Sequence, residues 1–383
     1  MWDGLQPVHL YAEGAPRARR QAEACPTYCP AFRPLPFTRV NCRHTIYGEF
    51  GRSKRMQYRN LGKTGIRVSE VGFGGWAIGG AMDVAGFPVG WPNTTDEDSM
   101  AAIRRARELG VNFFDSADIY GHGRSESLLG LVLSRNRKDV VIATKVGNVR
   151  TSAGAHHKDF SRQHIFYAVD GSLRRLRTDY LDLYQVHNPT LDDLRREDIQ
   201  EAMEMLQSLG KIRFWGVSIT LPQDGVEIIR RGWGYTLQVL YNILNQAPAE
   251  ELLPLARERG YGIIARVPLA SGLLTGKFHS NSTFATTDVR QNFLTPRRLE
   301  EASARVDEVK GIVGGATKTL GEAALKFVLA NEAVSTVIPG ARNRHQVELN
   351  ATASGEPLSP EIVQKLRDRL GGYNFYLRHA IRI

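Results

Sequence analysis

Only three cysteines occur in 383 residues, Cys25, Cys29 and Cys42, and none follows residue 42. Whatever folds beyond that point is not held by disulfides, which suits a reducing cytoplasm. With His44 the cysteines form a nominal zinc-ligand set, but their spacing fits no common zinc module. No apolar run reaches the roughly 20 residues needed to cross a bilayer. The N-terminus lacks the charged-then-apolar order of a secretory signal. The reading is a cytoplasmic protein with no membrane partner. A concentrated basic stripe is missing too. The net charge is +10, yet residues 1–55 hold nine Lys/Arg against four Asp/Glu and so carry half of the excess. The other basic residues fall mostly at helical spacing, as on solvated faces. That pattern argues against a nucleic-acid partner and suits a small phosphate-bearing ligand.

What is present is ordinary globular material, 42% hydrophobic and 23% charged. Residues 1–55 are rich in Pro and Arg and show no sustained periodicity, as expected of a disordered extension. A sharper alternative is that Met56 is the natural start, an idea excluded if mass spectrometry of the native protein detects peptides from 1–55. From residue 56 to 383 the pattern predicts one domain. A hairpin with its turn at 62–65 leads into apolar strands at 70–74, 111–115, 139–145, 180–186, 212–218, 236–241, 261–267 and 334–338. Helical patterns lie between and after them, at 95–109, 125–134, 161–176, 197–209, 222–231, 248–259, 319–330 and 343–352. Ser161 reads as an N-cap, with Ile165, Val169, Leu173 and Leu176 following at helical spacing. Ser359-Pro360 opens one further helix. Near-continuous apolar strands are covered on both faces, so the sheet is parallel. Eight βα units make this an α/β chain of the (β/α)8 TIM barrel type, with an N-terminal hairpin and a C-terminal extra helix. An open doubly wound sheet is the competing architecture. The stretch 268–318 exceeds one loop plus helix and reads as an ordered lid or clamp.

One motif points elsewhere. The segment 72-GFGGWA-77 fits the G-x-G-x-x-A fingerprint of a dinucleotide-binding sheet. That fingerprint opens a helix and is followed, roughly 20 residues on, by an acid ending a second strand. Here a long Gly-rich loop follows, and the second strand ends only at Asp115. The segment is therefore a strand end and loop, with Trp76 as a pocket wall.

In a (β/α)8 barrel, chemistry gathers where strands end. The second strand delivers Asp115 and leads to Tyr120, the third ends in Lys145 and the fourth in His187. Taken singly, each is unremarkable: a solvated lysine, a hydrogen-bonded histidine, a packing tyrosine. Together they occupy one barrel face. A buried lysine needs a carboxylate partner, and Asp115 supplies it. A tyrosine beside that ammonium is expected to have its pKa drawn down from about 10, making it a general acid for an oxyanion formed at a carbonyl. A neutral His187 would orient that carbonyl.

These residues sit in motifs that together resemble the aldo-keto reductases. The motifs are D-S-A-x-x-Y-G…E at 115–126, A-T-K at 143–145, L-D-L-Y-x-x-H at 181–187, G-V-S at 216–218 and I-P-G-A-R-x-x-x-Q-x-x-x-N at 338–350. R-x-L-G-x-T-G-x-x-V-S at 59–69 and P-L-A-S-G-L-L-T-G-K at 268–277 add to the likeness, which is to the bacterial and plant-type branches and spans about 57–352. The resemblance implies reversible NAD(P)H-dependent carbonyl reduction on a small-molecule substrate, with NADPH the usual cofactor, NADH an alternative and no metal. Asp115, Tyr120, Lys145 and His187 would be the catalytic tetrad. Ser218 and Gln238 would hold the carboxamide, and Leu269, Ser271, Gly272 and Lys277 the pyrophosphate. Gly340, Arg342, Gln346 and Asn350 would hold the adenosine end, Arg342 being placed to meet a 2′-phosphate.

Two positions depart from the family pattern. Ile219 stands where an Asn often follows G-V-S. Arg266 replaces an aromatic that stacks on the nicotinamide. A guanidinium also stacks, but its charge disfavours an oxidised nicotinamide, so NADPH is expected to bind tighter relative to NADP+. The substrate pocket is expected from Trp76, Phe87 and Trp91, the loop after His187 and the chain end near Tyr373 and Tyr376. Asp118 reads as loop scaffolding, and Glu126 as a helix start with a supporting contact in the site. Two other functions compete: a cofactor-binding sensor or auxiliary subunit on the same fold, and a metal-dependent hydrolase using His156, His157 and Asp159.

Overall fold

The computed structural model describes residues 56–84, 87–151 and 156–381, without the side chains of Asp83, Val84, Phe87 and Pro88. Residues 1–55, with their cysteines and His44, lie outside that set, as do the expectations placed on them.

Fourteen strands form among the described residues. They are β1 (Tyr58–Asn60), β2 (Arg67–Ser69), β3 (Phe73–Gly74), β4 (Ala81–Val84), β5 (Phe87–Gly90), β6 (Phe113–Asp115) and β7 (Val141–Val146). After these come β8 (Asn148–Arg150), β9 (His156–Lys158), β10 (Leu181–His187), β11 (Ile212–Ser218), β12 (Thr236–Leu240), β13 (Gly262–Arg266) and β14 (Val334–Val337). Eight of them pair in parallel in the order β3-β6-β7-β10-β11-β12-β13-β14. Parallel bridges Val71↔Val337 and Gly74↔Gly340 then join the first barrel strand to the last. That closure excludes the open doubly wound sheet.

Each predicted strand lies at its expected place, and the helices alternate with them. Thr95, Ser161, Thr319 and Ser359 cap the helices Asp96–Glu108, Arg162–Leu176, Leu320–Leu329 and Pro360–Leu370 by accepting from backbone N–H groups. Their apolar faces cover the outside of the sheet, where Leu129, Val169, Leu206, Ile228, Leu253 and Leu325 are all buried. A smaller core fills the barrel, with Phe113, Val141, Ala143, Leu183 and Ile264 facing one another. The β1–β2 hairpin closes one end by adding Leu61, Ile66 and Val68 to that core. Gly62 makes the closure possible: a Cβ there would sit 2.2 Å from the Gly262 nitrogen.

The sequence missed two hairpins. The Gly-rich loop after β3 is the antiparallel pair β4–β5, and the loop after β7 is the pair β8–β9. Both are too short and too irregular in hydropathy to show the period of a half-buried strand. The 268–318 segment is ordered as expected, but it also contains an 18-residue helix, Pro296–Val313, capped by Thr295.

Candidate active site

The alternation of each strand delivers the site. Side chains two residues apart share a face, so Phe113 is followed by Asp115, Ala143 by Lys145, Leu183 by Gln185 and His187, and Ile264 by Arg266. Their odd neighbours Ile142, Tyr184, Val186 and Ala265 pack outward under the helices. Each strand thus changes its inward face from apolar to polar at its C-terminal end. A slip of one residue in register would turn the whole set outward.

Lys145 is the centre. It is fully buried, and its three N–H donors reach Asp115 Oδ2 at 2.6 Å, the Ser116 carbonyl at 2.7 Å and Tyr120 Oη at 3.3 Å. Burial by itself lowers the lysine pKa, but Asp115 and then Tyr120 outweigh it, and the net shift is upward. Asp115 is fixed from its other side, where Oδ1 accepts from Gln238 Nε2 at 2.8 Å and Gln185 Nε2 at 3.1 Å. Tyr120 corrects an expectation. Its pKa is raised, because burial outweighs the pull of Lys145, and Asp115 adds to the rise. The phenol therefore keeps its proton across the neutral range.

His187 is held well below its usual pKa, first by burial and then by Lys145, Lys158 and Arg266. Asn148 Nδ2 donates to His187 Nδ1 at 2.8 Å, which leaves the proton of the neutral ring on Nε2. The rings of Tyr120 and His187 meet edge to face at 5.9 Å.

One cavity of about 1020 Å³ joins Asp115, Tyr120, Asn148, His187 and Gln238, with Lys145 buried behind them, to the rest of the expected set. Trp76 lines it and packs against Trp91 at 5.4 Å and Tyr120 at 6.5 Å. The Phe87 side chain lies outside the described residues. At the chain end the lining comes from His379, Ala380 and Ile381 rather than Tyr373 and Tyr376. Both tyrosines are buried, and Tyr376 pairs with Ser271 Oγ at 2.9 Å. Ser218 Oγ donates to Asn188 Oδ1 at 3.0 Å, and Arg266 Nη2 donates to the Ile219 carbonyl at 3.1 Å. After β13 the backbone turns left-handed at Val267, Ala270, Ser271 and Gly272, a costly run for non-glycine residues. Leu269, Lys277 and Gly340 line the cavity with Val267, Ser271 and Gly272. Arg342 donates through Nη1 to the Pro92 carbonyl, while its backbone nitrogen meets Gln346 Oε1. Asn350 Nδ2 donates to the Gly340 carbonyl at 3.4 Å.

The clamp adds a residue that sequence reasoning missed. Arg290 is paired with Asp288 and stacks against Trp91, Phe278 and Phe284, at 4.7–4.8 Å from each ring centre. Burial lowers the pKa of both Lys277 and Arg342, and Arg290 lowers each further. Three cations thus crowd one cavity wall around a single carboxylate. Gln185, Asn148 and Asn188 were missed as well, although the period of β10 places Gln185 on the His187 face. Glu126 does not line the cavity. It is fully buried beneath, accepting from Thr144 Oγ1 and Arg175 Nε, both at 2.6 Å. Burial raises the Asp118 carboxyl well above its usual range, with Glu126 adding to the rise. The supposed metal set does not converge: His156 lines the cavity, His157 is exposed, and Asp159 accepts from the Ser161 backbone.

The profile of the Aldo/keto reductase family matches residues 70–369. The chain belongs to this family. An uncharacterized oxidoreductase of Bacillus subtilis is 33% identical over 82% of this chain and 96% of the relative. A probable voltage-gated potassium channel subunit beta of Oryza sativa subsp. japonica is 32% identical, covering 81% of this chain and 95% of the relative. Among solved structures, the holo form of an aldo-keto reductase from Bacillus halodurans superposes with a TM-score of 0.67. It is 32% identical and covers 81% of this chain and 96% of that one. As an aldo/keto reductase the chain is an oxidoreductase on a (β/α)8 barrel. No helix among its described residues is long and apolar enough to cross a membrane.

Proposed function

We propose that the chain is a cytoplasmic NADPH-dependent reductase that reversibly converts a small aldehyde or ketone into its alcohol, with NADH as the lesser cofactor. The observation that carries this reading is the Lys145 junction, which holds Asp115 at 2.6 Å and Tyr120 at 3.3 Å beside a neutral His187.

The cavity suits a dinucleotide. Its volume lies at the upper end for small-molecule and cofactor sites, and its wall carries Lys277, Arg290 and Arg342 for anionic groups, with Ser271 and Gly272 beside them. Ser218, Asn188 and Gln238 would hold the carboxamide. Ser271, Gly272 and Lys277 would hold the pyrophosphate, with Leu269 packing alongside. Gly340, Arg342, Gln346 and Asn350 would hold the adenosine end. When bound, the nicotinamide supplies a hydride to the carbonyl carbon. His187 Nε2–H orients the carbonyl oxygen, Tyr120 gives it a proton, and the Lys145 ammonium stabilises the phenolate left behind. Trp76 and Trp91 keep water away from the transfer.

Turnover of NADPH with a panel of small aldehydes, compared with NADH, tests the reading. Steady consumption, faster with NADPH, is expected. A second reading draws support from the relatives named as potassium channel beta subunits: a cofactor-binding auxiliary subunit. Tight cofactor binding without turnover across the panel would favour it. Arg266 gives a further expectation. Its charge lines the cavity, so Arg266→Tyr should shift the ratio of NADP+ to NADPH dissociation constants by about tenfold toward NADP+. Fluorescence titrations showing an unchanged ratio would refute this.

A further inference from the structure

One cation of the cavity has no place in that chemistry. Lys158 lies on β9, in the hairpin that overhangs the site, and lines the same cavity as Tyr120 and His187. The residue is exposed overall, but its ammonium turns inward and donates to the His187 carbonyl oxygen at 2.7 Å. No carboxylate comes within ion-pair distance of it among the described residues. Lys145, by contrast, is neutralised by Asp115. Beyond the His187 carbonyl, the ammonium faces the Phe160 ring at 5.8 Å, and Trp76, Met82 and Asn148 line the cavity with Lys158. Beside it, His156 also lines the cavity, and its buried Nε2 has no hydrogen-bond partner.

We propose that Lys158, with His156, receives an anionic group on the substrate, so that the preferred substrates are short carbonyl compounds bearing a carboxylate or phosphate. This rests on the reductase reading of the site and narrows it to a substrate class. The ammonium touches the backbone of the residue whose ring orients the carbonyl. A substrate whose oxygen meets Tyr120 and His187 shares the cavity with Lys158, so an anionic group on it can be received by the ammonium. The energetic argument agrees. Burial lowers the Lys158 pKa to about 8, with Asp118 and Asp193 pulling the other way. Asp118 is itself pushed toward its neutral form, so it is a poor counterion. An ammonium held in this state gains from an anion that forms charge-assisted hydrogen bonds with it.

The test compares 4-oxobutanoate with its methyl ester, and glyceraldehyde 3-phosphate with glyceraldehyde, using wild type, Lys158→Met and Lys158→Arg. In wild type, kcat/KM should favour the anionic member of at least one pair by roughly 10- to 100-fold. Which pair shows the preference distinguishes carboxylate from phosphate. Lys158→Met should bring that ratio near one, mostly through KM, and Lys158→Arg should retain most of it. A parallel readout needs no catalysis: quenching of Trp76 and Trp91 fluorescence by butanoate against butyramide in the NADPH-loaded protein. Butanoate binding that depends on Lys158 without turnover of any aldehyde would sink the reductase reading and leave the anion site standing. Equal ratios in wild type for both pairs and equal binding of butanoate and butyramide would overturn the proposal. So would a preference that survives Lys158→Met.

Discussion

Replacing Tyr120 by Phe is expected to lower kcat for aldehyde reduction by roughly a thousandfold, within the range that one general acid contributes, while NADPH affinity stays within about threefold. The substitution removes only the hydroxyl. The ring contacts with Trp76 and His187 remain, and Lys145 keeps its bonds to Asp115 and the Ser116 carbonyl. What is lost is the proton donor at the carbonyl oxygen. Because burial holds the Tyr120 pKa above its ordinary value, and His187 is held neutral, wild-type kcat for an uncharged aldehyde, which does not need the Lys158 ammonium, should be flat from about pH 6 to 9. A tyrosine limb inside that window would mean that the bound cofactor reverses the effect of burial. Near-normal kcat in Tyr120→Phe would remove Tyr120 from the chemistry altogether.

The second large effect concerns stability as well as rate. Lys145→Met should abolish turnover and destabilise the fold by about 3–5 kcal/mol, the range for removing one partner of a buried ion pair. Asp115 would be left buried, with only Gln185 and Gln238 donating to its carboxylate. For a folded chain of this size such a loss lowers Tm by roughly 4–7 °C. Removing the orphaned charge in Lys145→Met/Asp115→Asn should recover at least half of the stability and none of the activity. The sign with pH follows from the raised pKa of Lys145 in the fold. The pair's contribution is complete below the unfolded lysine pKa of about 10.4 and is lost as pH rises through the folded value. The gap between wild type and Lys145→Met should therefore narrow only in strong alkali. Equal Tm values at neutral pH would show that Asp115 has other support.

The barrel and the meeting of Asp115, Lys145 and His187 at one end of it were legible for one reason. Buried parallel strands are nearly all apolar, so a polar residue at a strand end stands out, and Asp115, Lys145 and His187 stood out. What the strands did not announce was the second ring of contacts. Gln185 sits inside an apolar strand but on the His187 face, and counting by two would have found it. Asn148, Asn188 and Lys158 sit on hairpin or loop backbone, whose course no local pattern fixes. Arg290 reaches its aromatic neighbours only through the tertiary path of the clamp. The Tyr120 pKa was misjudged because proximity of a charge can be guessed from sequence, whereas the depth of burial that opposes it cannot. Glu126 was taken for a site neighbour because it follows Tyr120 closely, yet the helix Arg124–Leu133 carries it to the outer face of β7, against Thr144.

The most direct test of hydride transfer at this site uses NADPH carrying deuterium at both C4 positions, mixed with excess protein and a reactive small aldehyde in a single turnover. Mass spectrometry of the product should show one deuterium on the carbinol carbon, with Tyr120→Phe forming the same labelled alcohol far more slowly. Saturating cofactor binding with no labelled alcohol would contradict the reductase reading.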